Sequence, residues 1–237
     1  MYKRQVPPQR WVGWGYEADP EVWASKLLTD GETQYWLGDT LLIGGVYEAS
    51  VSEAKVYLPK SSNADPGFIN INSPYQYLSA GAWHTIGSPW RSSIPVLARV
   101  GGAVPVGKEK QVVAPGDKTN DAELPADDWR GVEIFPPSEE QSSGLETWYE
   151  NNWLEDDGVS PPPAKLAKFT ISYSASASEV RIRFDKDTSA FLPPWVHKGL
   201  SIILPVGDGR QVVSADDSTV ETRRQDEKGR RRFHILV

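Results

Sequence analysis

Three kinds of residue in this chain could take part in chemistry: a run of acids, three histidines and ten tryptophans. The acids are Glu155-Asp156-Asp157, followed by Gly158. Carboxylate-based hydrolysis needs two acids facing each other across one bond, about 5–5.5 Å apart for retention of configuration and about 6.5–9.5 Å for inversion. Consecutive strand residues point to opposite faces, so Asp156 and Asp157 on a regular strand cannot face one bond. Asp-Gly favours a tight hairpin, and a turn is the expectation for this run. Carboxylates on a turn also suit a hard cation, but the spacing matches no calcium-binding loop. His84, His197 and His234 stand far apart, without metal-ligand spacing. His234 alternates with Phe233 and Ile235, which places it on the wet face of a strand. Gly44-Gly45 and Gly101-Gly102 are not followed by helical patterns, so neither reads as a phosphate-cradling loop. No nucleophile elbow occurs. The absence of Cys removes thiol nucleophiles, thiolate metal sites and disulfides together. Trp83, Trp90, Trp148 and Trp153 lie in or beside loops and could stack on sugar rings. Capping a sandwich core or a seam between modules is the preferred role for each. No residue is assigned a catalytic, cofactor-binding or metal-binding role, and no cofactor is expected.

The elements that would position these residues are almost all strands. The chain has 237 residues, 39% hydrophobic, with 19 Pro and 20 Gly, which suits many short strands joined by turns. The most apolar run is Ile94 to Val106, interrupted by Gly101-Gly102, and an inner strand bent at the glycines is expected. Arg99 inside it must reach a carboxylate, a carbonyl or water. A second run, Gln34 to Val46, precedes it. Arg10 to Tyr16 reads as a short strand. Asp19-Pro20 then opens one helix over Glu21 to Leu28, with Asp19 as cap and Pro20 in the first turn. Ala54 to Leu58, Phe68 to Ile71 and Trp83 to Ile86 read as further strands. The polar stretch from Lys108 to Arg130 is long for a structureless connection and reads as a link between two modules. Beyond it, Val132 to Phe135, Leu145 to Glu150, Phe169 to Tyr173, Val180 to Phe184, Leu200 to Leu204, Gln211 to Val213, Thr219 to Thr222 and Phe233 to Val237 read as strands. The expected boundaries are a tail over 1–32, a first sandwich over 33–110, a linker over 111–130 and a second sandwich over 131–237.

Charge and composition limit the partners. A net charge of −7 argues against a nucleic-acid backbone, which needs clustered positive charge. The basic groups Arg223-Arg224 and Arg230-Arg231-Arg232 read as the arms of a solvated hairpin. No apolar run approaches the roughly 20 residues needed to span a bilayer, so no membrane partner is expected. With no visible leader segment, disulfide or Asn-x-Ser/Thr sequon, the chain leans toward an intracellular setting or an incomplete sequence.

Four motifs in collinear order resemble one family. Gly38-Asp39-Thr40-Leu41-Leu42-Ile43-Gly44-Gly45-Val46 is similar to a segment that follows the catalytic barrel in family 31 glycoside hydrolases, there Gly-Asp-Ser-Leu-Leu and then Ala-Pro-Val. Val56-Tyr57-Leu58-Pro59 resembles the family's next strand. The 94–106 run resembles its Ile-Pro-Val, Arg-x-Gly and Pro series. Tyr149-Glu150 with Glu155-Asp156-Asp157-Gly158 looks like its Tyr-Glu-Asp-Asp-Gly hairpin with an insertion. Arg10 to Trp23 is similar to the last barrel strand and its acidic-Pro loop. Residues 165–237 match in pattern only.

The resemblance implies an all-β chain of two antiparallel β-sandwich modules, the proximal and distal C-terminal domains, preceded by a short remnant of a (β/α)8 barrel. It implies a parent enzyme of the retaining, exo-acting α-glucosidase type, using an Asp nucleophile and an Asp acid/base on that barrel. The partners would be the upstream barrel and the parent's carbohydrate substrate. The chain alone would lack the catalytic carboxylates and act structurally. The alternatives are a non-catalytic carbohydrate-binding sandwich using exposed Trp, or a β domain of unrelated function.

Overall fold

The structure is a computed structural model that describes residues 7–46, 49–62, 65–89, 93–108, 127–142, 144–158, 160–161, 164–216 and 218–236. Trp90, residues 1–5, residues 111–126 of the expected linker, and Pro162-Pro163 lie outside the described residues. The chain forms two compact units. One comprises residues 1–102 and 135–142, the other 103–134 and 143–237.

The first unit holds β1 (Gln9–Trp11), α1 (Glu21–Ala24), α2 (Lys26–Thr29), β2 (Gln34–Leu37), β3 (Leu41–Gly44), β4 (Glu53–Leu58), β5 (Phe68–Asn70), β6 (Tyr77–Leu78), β7 (Ala82–Gly87) and β8 (Val96–Arg99). Six strands form an antiparallel sheet in the order β1-β2-β3-β8-β5-β6, and β4-β7 form a second. Trp36, Leu42, Phe68 and Leu97 from the first sheet meet Ala54, Val56, Leu58 and Ile86 from the second in one core. Alternation explains the phase of β4, where Glu53 and Lys55 face water and Ala54 and Val56 face inward.

The helix expected over 21–28 is two short turns that meet at Ser25, whose backbone is extended (ψ 120°). Val22 and Leu28 are both fully buried. On one continuous helix, residues six apart point about 120° away from each other, so both could not face this core. The break at Ser25 lets both do so, and the Ser25 carbonyl accepts the amides of Leu28 and Thr29 to start the second turn. Beyond β1, residues 12–16 make turns rather than continuing the expected strand.

The second unit holds β9 (Ala103–Val106), β10 (Arg130–Ile134), β11 (Gly144–Asp156), β12 (Leu166–Ala175), β13 (Glu179–Asp187), a 3-10 turn (Pro194–Lys198), β14 (Leu200–Ile203), β15 (Gln211–Ser214), β16 (Val220–Arg223) and β17 (Arg232–Ile235). Its sheets run β16-β17-β14-β10-β9 and β11-β12-β13-β15. Between them lies a core that includes Ile134, Phe169, Ile171, Tyr173, Val180, Ile182, Trp195, Ile202 and Phe233.

The all-β expectation is met, with two differences. The sheets of this unit are mixed, because β10 pairs parallel with β14 and β13 with β15. The apolar 94–106 run is two strands in two sheets: β8 pairs with β3 and β5, while β9 pairs with β10. Gly101 makes the reversal at φ +90°, a backbone region that favours glycine.

Candidate functional site

In the first unit the motif residues converge. Leu41 pairs with Ala98 across β3 and β8, and the Arg99 amide donates to the Thr40 carbonyl at 2.8 Å. A Cβ on Gly102 would sit 2.5 Å from the Thr40 methyl, so the glycine admits that side chain. The Arg99 side chain bonds the Tyr16 hydroxyl; burial raises the pKa of that phenol, and the Arg99 charge opposes the rise. Asp39 forms an ion pair with Arg10.

Gly44 and Gly45, which the resemblance sets against Ala-Pro, each have a local cause. A Cβ on Gly44 would lie 2.6 Å from a Val56 methyl, and the Gly45 amide donates to the Thr33 carbonyl at 3.1 Å, a bond proline could not make.

Asp19 does more than the capping expected of it. Its carboxylate is buried and accepts from the Glu21 amide at 3.1 Å, the Lys60 amide at 3.0 Å and the Tyr57 hydroxyl at 2.8 Å. Burial first, then the Asp19 hydrogen bond and charge, push the Tyr57 phenol well above its usual range. Gln34, also buried, holds the Tyr57 backbone at both its amide (2.8 Å) and its carbonyl (2.7 Å).

In the second unit the acid run divides by role. β11 extends to Asp156, further than expected, and only Asp157 and Gly158 belong to the turn. Glu155 points inward. Its carboxylate accepts from the indole nitrogens of Trp153 and Trp195, both at 3.0 Å, and pairs with Arg130 at 2.8 Å. Burial pulls the Arg130 pKa down, but Glu155 and Asp127 outweigh it and leave the guanidinium above its ordinary value. Asp156 accepts the Gly158 amide at 2.9 Å, and Asp157 holds Ser160 and Lys165. The three acids therefore serve three separate local networks and do not face one bond. Nearby, Lys108 and Lys198 clasp Asp128, and their hydrogen bonds lower its pKa to about 2.

The basic groups of residues 223–232 form the expected hairpin, β16 to β17, but its loop is organised by an acid. Asp226 accepts the amides of Lys228 (3.0 Å) and Arg230 (2.9 Å) and the Arg230 Nε at 2.7 Å. Arg230 also pairs with Glu133 on β10. Burial pushes the Asp226 carboxyl up, and the Arg230 and Lys228 contacts outweigh that to hold it below the usual carboxylate range. A cleft of about 1410 Å³ opens beside this loop, with Trp129, Glu133 and Arg232 among its walls.

The remaining expected candidates are dispersed. The His84 ring meets the Ser79 carbonyl at 2.9 Å, His197 is exposed, and His234 is half-buried opposite Ser201 and Glu221. Among the described residues no three metal-ligating side chains come together. Trp83 packs on Tyr57 and donates to Glu21 at 2.8 Å. Trp153 stacks on Phe169. Trp148 is 37% exposed and lies under the Arg183 guanidinium, 4.7 Å from the ring centroid. Sequence reading missed Asp19–Tyr57, Arg130–Glu155 and Arg230–Glu133. Each joins residues 25 or more apart in the chain, beyond any local pattern.

Residues 5–104 match the Glycosyl hydrolase family 31 C-terminal domain. Over those residues the chain is similar to a family 31 C-terminal domain. No curated protein matches it. Solved structures that share its fold include the following three. A GH31 dextranase from Flavobacterium johnsoniae, complexed with glucose, superposes with TM-score 0.70 at 20% identity, over 97% of this chain and 28% of the dextranase. A GH31 alpha-xylosidase from Xanthomonas citri gives 0.59 at 18% identity, over 88% and 19% of the two chains. The cycloalternan-forming enzyme of Listeria monocytogenes gives 0.56 at 16%, over 96% and 19%. The chain thus spans under a third of the length of each. The family 31 match covers the Thr40–Arg99–Gly102 meeting point, the Asp19 network and the Gly44-Gly45 departure. The Glu155 network and the basic cleft lie beyond it.

Proposed function

We propose that this chain is the C-terminal accessory portion of a retaining, exo-acting α-glucosidase-like glycoside hydrolase. Its role is structural support of an upstream (β/α)8 barrel that carries the two catalytic Asp residues. The observation that carries the reading is the surface of residues 11–27. Trp14 and Trp23 are 49% and 57% exposed, and Leu27 is also exposed, although Val12, Tyr16, Val22 and Leu28 are buried in the core of the first unit. A segment that anchors itself by one face and leaves two indoles in water has a second apolar partner to meet. In this reading residues 1–32 are the tail and last elements of that barrel, the rest of the first unit (33–102 and 135–142) is the proximal sandwich, and the second unit (103–134 and 143–237), which takes β9, is the distal one. The chain supplies no catalytic, cofactor or metal residue.

The test has two parts. Purified 1–237 should not cleave an aryl α-glucoside above background, and turnover abolished by a single Asp or Glu substitution in this chain would overturn the proposal. The natural sequence upstream of Arg10 should contain barrel strands with two suitably placed Asp residues. The carbohydrate-binding alternative rests on Trp148, which is exposed on the wet face of β11. A calorimetric titration with maltooligosaccharides that gives no heat removes it.

A further inference from the structure

We propose that the cleft of the second unit binds the acidic group of an anionic saccharide, with Arg232 as the residue that pairs with it. The lining carries five cations against three carboxylates, in a chain whose net charge is −7. Two of those cations are already answered at close range. Arg230 is held by Glu133 and Asp226, and Lys108 by Asp128. Arg232 is not. The carboxylate nearest to it is Asp226 at 3.8 Å, and that same oxygen takes the Arg230 Nε at 2.7 Å. The Arg232 Nε is buried and has no acceptor among the described residues.

Strand pairing adds to the imbalance. Arg232 stands directly opposite Arg223 in the β16–β17 hairpin, and like charges set opposite one another destabilise a ladder. Arg223 has Glu221 at 2.7 Å for its own neutralisation. The Arg232 side chain is 36% exposed and lines the cleft, so its terminal amino groups offer the planar fork that matches a carboxylate or sulfate.

The other walls suit a ring-sized ligand. Trp129 lines the cleft, and Gly131 makes room for its ring, since a Cβ there would lie 2.7 Å from the indole. Glu133 and the Asp226 loop supply acceptors for hydroxyl groups on the same ligand. The anion-pairing role of Arg232 stands on these contacts alone. The choice of a saccharide as its carrier rests on the glycoside hydrolase reading above.

The experiment is a titration of the whole chain, followed by proton–nitrogen correlation spectra that report the Arg232 Nε and Trp129 indole signals. Three probes are compared: a glucuronate-terminated oligosaccharide, the matching glucose-terminated one, and inorganic sulfate. The acidic saccharide should shift both signals and bind more tightly at low salt. Arg232→Gln should weaken it by about tenfold or more. Arg232→Lys, which keeps the charge and loses the fork, should fall between. If Arg232→Gln fails to fold, the wild-type signals still decide. Equal binding of the neutral sugar, sulfate binding as tightly as the acidic saccharide, or no shift at either signal would each overturn the proposal. None of these outcomes depends on whether a parent enzyme cleaves α-glucosides, so the two readings fail separately.

Discussion

At the scale of single residues, Glu155 is the acid with most depending on it. Three donors from three segments end on one carboxylate: Arg130, Trp153 and Trp195. Both members of the ion pair are mostly buried, with side chains 13% and 15% exposed. Glu155→Gln keeps the shape and removes the charge. It leaves the Arg130 guanidinium half-answered by Asp127 and gives one of the two indoles a poorer acceptor. Breaking a buried pair from one side costs about 3 kcal/mol, because the remaining charge stays desolvated. The expected outcome is a fall of that size in the urea unfolding free energy, with catalysis by an intact parent enzyme unaffected at saturating substrate. A variant as stable as wild type would show that water already reaches Arg130. The run Glu155-Asp156-Asp157 invited a catalytic interpretation because acids are dense there. Its density instead reflects a strand end, where one acid turns inward and two hold a turn.

At the scale of elements, the pairing of β3 with β8 and the closeness of β4 explain a departure from the family pattern. Gly44 ends β3 against Val56 on β4. Val is branched at Cβ and cannot swing its methyl aside freely. Gly44→Ala should therefore destabilise the protein by about 1–2 kcal/mol, the usual cost of overfilling a packed site. Val56→Ala alone should cost about 2 kcal/mol from the cavity it opens. The double variant should be more stable than the sum of the two singles predicts, by about 1 kcal/mol in a thermodynamic cycle. Strict additivity would mean that the backbone at Gly44, not Val56, sets the limit. The motif segments were legible because each is a short run of fixed residue types. The reason for Gly in place of Ala was not, because Val56 lies twelve residues away on a strand of the other sheet.

At the scale of the whole molecule, the exposed indoles of Trp14 and Trp23 are the observation with the widest reach. Iodide should quench both in the isolated chain. In a form that carries the proposed upstream barrel, if that barrel covers residues 11–27, the same two fluorophores should become resistant to it. The readout is the loss of the iodide-accessible fraction on comparing Trp14→Phe and Trp23→Phe variants of each form. Unchanged accessibility would remove the surface as a docking face and, with it, the main support for a scaffolding role.

Much of the architecture could be read from the chain alone, for a physical reason. Strand content follows from a two-residue period and from turn residues between the periods, and both are local. The paired motifs, the absence of thiol chemistry and the hairpin at residues 223–232 were readable on the same basis. What folding added is everything that depends on distant residues meeting. The helix signal at 21–28 is continuous in sequence, yet two buried residues that could not share one helical face force a break at Ser25. The 94–106 run is apolar but for Arg99, yet Gly101 turns it into two strands that serve different sheets. Parallel pairing of β10 with β14 and of β13 with β15 leaves no mark on a single strand's pattern. The acids that matter most, Asp19, Glu155 and Asp226, are set apart from their neighbours only by which donors the fold brings to them.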